Sequence, residues 1–319
     1  DRIDLIKNLL PVYIDILKKL EEQHVEWVQF DEPFLSLDLT DKDKAAFKYV
    51  YAEIKKQFPN LKTLLTTYFE ALKDNTELAT SLPVTALHID LVRNPEQLQP
   101  VLDAIPSNLI LSVGVVDGRN IWKNDFKASL ALIETAQANV GAKRLIISPS
   151  CSLIHSPCDL ELETNESVLT PEIKQWLSFA KQKVDEIVTL KQLVNGEEAA
   201  AEKLTDNINA NENRKTSSLI HNQAVKQRDA GITTKDENRE NAFAIRKEAQ
   251  HKALKLPLFP TTTIGSFPQT PEVRSWRAKY KKGDLTLSEY DAIIEKETVE
   301  TNRFLEESGN DVLVHGGFE

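Results

Sequence analysis

The 319-residue sequence contains no methionine and only two cysteines, Cys151 and Cys158. Two thiols do not build the disulfide framework of a small secreted domain, so the chain is expected in a reducing cytosol, as a cytoplasmic protein. No run of about 18 apolar residues occurs, which argues against a helical membrane span, and no signal-peptide pattern opens the chain. A basic face is also missing. The 39 Lys and Arg residues against 49 Asp and Glu leave a net charge of −10 and a pI near 5.3, the reverse of what a nucleic-acid binder carries. The lack of Met has no physical account. With Asp1 opening inside an amphipathic pattern, it fits a piece of a longer chain or an edited chain better than a complete product.

What is present suffices for a sizeable core: 41% of residues are hydrophobic and 28% charged, and the length suits one large domain or two ordinary ones. Over the first 150 residues helical and strand signals alternate. Leu5, Ile6, Leu9, Leu10, Tyr13, Ile14, Leu17 and Leu20 recur at helical spacing. Residues 41–58 read as a second helix with Thr40 as N-cap and Pro59 beyond its end. Short apolar, β-prone runs near 25–30, 62–67, 84–90, 109–115 and 144–148 predict five strands, with helices near 95–105 and 122–138. Strands alternating with helices indicate a parallel α/β sheet. Polar groups follow the strands at Asp31-Glu32-Pro33, His88-Ile89-Asp90, Asp117-Gly118-Arg119 and Ser148–Cys151, where a (β/α)₈ barrel builds its site. Five strands do not close such a barrel, and three more are expected before Asp1.

From about 160 to 255 the texture is helical and polar, with an amphipathic helix over 171–195 and a Lys-, Glu-, Asn- and Gln-rich stretch after it; a disordered linker over 205–235 is the alternative. Near Leu256 the pattern changes to a strand entering the turn Ile264-Gly265-Ser266. A basic helix follows, then another over 287–307, then a strand at 311–316.

TTTIGSFPQT at 261–270, RSWRAKYKKG at 274–283 and DVLVHG at 311–316 resemble the start of the catalytic domain of cobalamin-independent methionine synthases. Upstream, VEWVQFDEPFL, ALHIDLV, SVGVVDGRN and ISPSCSL, in that order, resemble the second half of the same family's N-terminal domain. The resemblance implies two (β/α)₈ TIM-type barrels. Residues 1–160 would be the C-terminal part of the first, 161–255 a helical interdomain segment, and 256–319 the start of the catalytic barrel. It implies a cytoplasmic monomer that moves a methyl group from a 5-methyltetrahydrofolate polyglutamate to homocysteine, with a zinc ion that binds the homocysteine sulfur as thiolate. The family's zinc ligands (one His, two Cys, one Glu) would lie downstream of Glu319, so this piece alone would be inactive. Rival readings are a non-catalytic scaffold barrel and a uroporphyrinogen decarboxylase-like barrel enzyme; the TTTIGSFPQT turn disfavours the latter.

In the family the Ile264-Gly265-Ser266 turn would hold the amino-acid end of homocysteine, through exposed backbone N–H groups and the Ser266 hydroxyl. Gly317 stands where the family carries a Glu that pairs with the substrate ammonium. By internal analogy Asp31 matches a homocysteine-holding Asp, and Asp90 and Cys151 fall where zinc ligands would lie. Thr67 and Phe69 replace the expected soft donors, so Asp90 and Cys151 read as relics of a duplicated site rather than a metal centre. Asp117, Arg119 and Trp122 read as a turn with a salt bridge, Cys158 as a packed thiol, His315 as strand-end packing. Arg274–Lys282 reads as a solvated helix face, with the folate's anionic tail as the alternative partner.

Overall fold

A computed structural model describes residues 2–264 and 269–314. Contacts divide the chain into two units, residues 1–222 and 223–319. The division falls inside the 161–255 stretch, because the helices up to residue 216 pack onto the first unit.

The first unit is built on five parallel strands, β1 (Trp27–Asp31), β2 (Lys62–Thr66), β3 (Ala86–Asp90), β4 (Ile110–Val116) and β5 (Leu145–Pro149), hydrogen-bonded in chain order. Every strand thus pairs only with its neighbours in sequence, as expected from the five apolar runs. α1 (Ile6–Glu22) precedes β1, and between the strands lie α2 (Asp41–Gln57), α3 (Thr76–Ser81), α4 (Leu98–Ala104) and α5 (Phe126–Val140). Thr40 caps α2 as expected: its hydroxyl accepts from Asp43 N at 3.2 Å, and the Asp43 carboxylate accepts from Thr40 N at 2.9 Å.

The register sorts side chains by chemistry. Leu65, Leu87 and Leu111 are partners across the sheet and, with Ile89 and Val113, are fully buried in one core under the helices. Thr66, His88 and Ser112 are partners one residue on, and Gly114 pairs with Ser148. Because strand side chains alternate between faces, the second face is lined by small and polar groups. It carries the functional candidates.

One expected helix is two. Over 171–195 the chain forms α6 (Pro171–Lys174), an extended strap, and α7 (Ala180–Val194). Trp176, Leu177 and Phe179 are buried, Leu177 and Phe179 against Leu160 and Trp122. Lys123 N donates to Trp176 O and Ser178 N to Ile121 O, both at 2.8 Å. Those bonds satisfy backbone that a continuous helix would pair internally. α7 packs on β5 and α5, and α8 (Ala201–Thr216) on α5.

The second unit contains α9 (Gln223–Ala230), α10 (Thr234–Glu237), α11 (Phe243–Leu254), α12 (Pro271–Lys282) and α13 (Leu287–Glu307). The last two pack together, with Tyr280 and Tyr290 stacked at 4.7 Å. The strands expected near 256–263 and 311–316 come together as one parallel bridge, Thr262 to Val312, among the described residues. The Asp311 carboxylate accepts from Thr261 N at 2.7 Å and from its hydroxyl at 2.8 Å, and these bonds hold its pKa below the ordinary value. No helix of the described residues is long and apolar enough to cross a membrane.

Candidate functional site

The carboxyl ends of the five parallel strands bring Asp31, Tyr68, Phe69, Asp90, Arg119 and Cys151 to one end of the sheet, the end at which parallel α/β folds bind ligands. Asp90, at the end of β3, is buried, and both its oxygens are occupied. One accepts from Phe69 N at 3.0 Å, the other from Val92 N at 3.0 Å and Arg93 N at 2.9 Å. Its carboxylate therefore ties the turn after β2 to the turn after β3. The first of these turns is strained: Phe69 has φ +76°, a conformation that costs a bulky L-residue about 1–3 kcal/mol. The Asp90 bond helps to hold it.

Asp31 is exposed, accepting from Gln29 Nε2 at 2.7 Å and lying 3.5 Å from the Tyr68 hydroxyl. Its neighbour Glu32 accepts from the buried Tyr51 hydroxyl at 2.8 Å, and burial pushes the Glu32 pKa up. Cys151 is buried beside Ser150, and burial likewise pushes its thiol up. Gly118 faces it: a Cβ there would stand 2.8 Å from Cys151 O and 2.9 Å from Sγ. The turn after β4 and the loop after β5 touch because residue 118 has no side chain.

The expected salt bridge in that turn does not form. Asp117 accepts instead from Arg119 N at 2.8 Å and from Asn120 Nδ2 at 2.7 Å, and the Arg119 guanidinium lies over the Phe69 ring at 4.5 Å. Asp117 prefers these local donors because an Asx turn satisfies it without ordering a long side chain. Trp122 is apart from this group, under the Arg214 guanidinium at 3.6 Å and in the apolar cluster of Leu160, Leu177 and Phe179. Cys158 is exposed rather than packed.

Asp90 and Cys151 do not fit a zinc ion. The Asp90 oxygens are already used by three backbone N–H groups, Thr67 and Phe69 offer no soft donor, and zinc needs four ligands in tetrahedral array. Among the described residues no group of three or more His, Cys, Asp or Glu side chains is placed to hold a metal.

Two groupings had no signal strong enough in the sequence. His88, wholly buried on the polar face, has Nδ1 at 3.0 Å from Ser112 Oγ and 3.1 Å from Ser148 Oγ, and Nε2 at 3.2 Å from Ser150 O. A carbonyl only accepts, so Nε2 carries the proton and Nδ1 accepts. Burial pushes the His88 pKa down, against the nearby Asp90 and Asp31 carboxylates. Gly114 makes room for the ring, since a Cβ there would lie 2.8 Å from His88 Cε1. The second grouping is on α7. Lys183, fully buried, donates to Asn120 Oδ1 at 3.2 Å and Trp122 O at 3.0 Å, and Glu186 accepts from Asn124 N at 3.0 Å.

Of the residues singled out for homocysteine, Ile264 is fully exposed. Gly265, Ser266 and Gly317, like His315, lie outside the described residues.

Residues 1–141 match the family model described as cobalamin-independent synthase, N-terminal domain, and residues 259–319 match the one described as cobalamin-independent synthase, catalytic domain. The chain is 59% identical, over its whole length, to a 5-methyltetrahydropteroyltriglutamate–homocysteine methyltransferase of Flavobacterium johnsoniae, and 50% identical to the one of Cytophaga hutchinsonii; it spans 42% of each relative's length. A solved B12-independent methionine synthase from Shewanella sp. W3-18-1 is 14% identical, with a TM-score of 0.44 over 63% of this chain and 57% of that one. With its N-terminal model and its catalytic model matched in chain order, this chain belongs to the cobalamin-independent synthase family.

Proposed function

We propose that the chain is part of a cobalamin-independent methionine synthase, a methyltransferase that moves a methyl group from a 5-methyltetrahydrofolate polyglutamate to homocysteine. The observation that carries this is the 59% identity along the entire chain to a relative bearing that activity in its name. In this reading residues 1–160 are the second part of an N-terminal (β/α)₈ barrel, 161–255 the helical connection and 256–319 the opening of the catalytic barrel. The chain-ordered parallel sheet supports the first assignment, because a barrel adds each strand beside the last.

Ile264, Gly265 and Ser266 would receive the amino-acid end of homocysteine, and Gly317 would stand beside its ammonium group. The zinc that makes the homocysteine sulfur a nucleophile would be held by residues outside this chain, while Asp90 and Cys151 are relics of a duplicated site. The protein acts as a cytoplasmic monomer. The natural full-length polypeptide should contain stoichiometric zinc by mass spectrometry and form methionine from homocysteine and methyltetrahydropteroyltriglutamate. The 319-residue chain alone should do neither. A full-length protein that forms no methionine with both substrates present would sink this reading.

A further inference from the structure

The group least explained by folding is Arg119. Its backbone is fixed twice, by the Asp117 carboxylate accepting from its N–H at 2.8 Å and by Gly118 lying hard against Cys151. Its side chain is fixed too, with the guanidinium over the Phe69 ring at 4.5 Å. Phe69 is itself held in a left-handed conformation by Asp90, and its ring meets Tyr68 edge-on at 4.6 Å and His155 at 5.9 Å. Yet the guanidinium has no carboxylate within ion-pair distance and donates none of its N–H groups to another described residue, and Arg119 is exposed at the ligand-binding end of the sheet. A guanidinium stacked on a ring keeps its edge free, and that edge matches a carboxylate bidentately.

Asp90 and Asp117 do not answer this charge, because the Asp90 oxygens and those of Asp117 are taken by local N–H donors. Asp31, exposed at the same end of the sheet, accepts from Gln29 and Tyr68. The ordering cost of the Arg side chain has already been met by the stacking, so a ligand there gains most of what the contact offers.

We propose that Arg119, on its Phe69 platform, is a binding position for a carboxylate. Two sources share that chemistry: the carboxylate of a free α-amino acid, and a carboxylate of a γ-glutamyl chain such as the one on the proposed methyl donor. The reading of the site as a carboxylate receptor is independent of methyl transfer, because its readout is binding and not turnover.

The test is calorimetric titration of the natural full-length polypeptide with tri-γ-glutamate and, separately, with L-methionine. Wild type is compared with Arg119→Ala, Arg119→Lys and Phe69→Leu, each first shown to keep the wild-type thermal transition and circular dichroism. Arg119→Ala should weaken at least one probe tenfold or more. Arg119→Lys, which keeps the charge but not the planar fork, should recover only part, and Phe69→Leu should weaken the same probe. Loss confined to tri-γ-glutamate assigns the glutamyl chain as the source; loss confined to L-methionine assigns the amino acid. Affinities for both probes that do not change in Arg119→Ala, or no binding of either probe by wild type, overturn the proposal.

Discussion

His88 is where one side chain has the clearest measurable consequence. Its folded pKa lies below the ordinary value, so above about pH 6.5 the imidazole is neutral folded and unfolded and adds no slope. As pH falls below that, the unfolded chain takes up a proton that the folded one refuses. Stability then declines by at most about 1.4 kcal/mol per pH unit until the folded pKa is reached. Urea midpoints of wild type and His88→Gln at pH 7.5, 6.5 and 5.5 isolate the effect: the gap should shift against wild type on acidification, and a constant gap would mean that the imidazole titrates normally. Gly317 carries the second residue-scale expectation, resting on the family's Glu at that position. Removing one member of a buried ion pair costs about 3–5 kcal/mol, and each 1.4 kcal/mol is about tenfold in affinity. With some return from water entering the space, Gly317→Glu in the full-length enzyme should bind homocysteine at least about a hundredfold more tightly, with zinc content unchanged. Equal affinities by calorimetry would place Gly317 away from the substrate.

Among the elements, the strands were legible because each is a short apolar, β-prone run bounded by turns, although only β3 and β4 are buried on both faces, and the α2 cap because its Thr40–Asp43 pair is local. The break between α6 and α7 was not legible. Trp176, Leu177 and Phe179 satisfy a helical pattern equally well, and only pairing with residues 121–123, some fifty positions earlier, decides for the extended form. Nor was the burial of Lys183 and Glu186: an amphipathic helix is expected to turn its charges to solvent, and here loop 120–124 closes over them. The site was legible as a location but not as a network: Asp31, Asp90, Arg119 and Cys151 stood out, whereas the contacts that use up Asp90 and stack Arg119 join residues far apart in sequence. The bracing of α5 by α8 is testable. Asn207, buried, accepts from Phe126 N at 3.1 Å and donates to Asn124 O at 2.8 Å. Asn207→Ala strands the Phe126 N–H, while Asn211 still serves Asn124 O at 3.1 Å, so a loss of about 1–3 kcal/mol is expected. Unchanged stability, with the Phe126 amide still protected from hydrogen exchange, would show that α8 does not brace α5.

For the whole molecule, the two units predict where a protease enters. Every residue from 218 to 245 is exposed, and the helices there are short, so local opening is cheap. Limited trypsin digestion should cut first at Arg228, Lys235 or Arg239, read by mass spectrometry; a first cut within 27–149 would contradict the division. The chain-ordered sheet has a consequence in time. Trp27 pairs with Lys62, Leu64 with Ala86, Ala86 with Ile110 and Leu111 with Leu145, so each strand's partner follows about 20 to 35 residues behind. At roughly 5–20 residues per second of synthesis, a strand leaving the ribosome waits only about 1–7 s for its neighbour. No pairing among these five strands depends on sequence made much later, and this run of strands is suited to assembling one at a time while the chain is still being made.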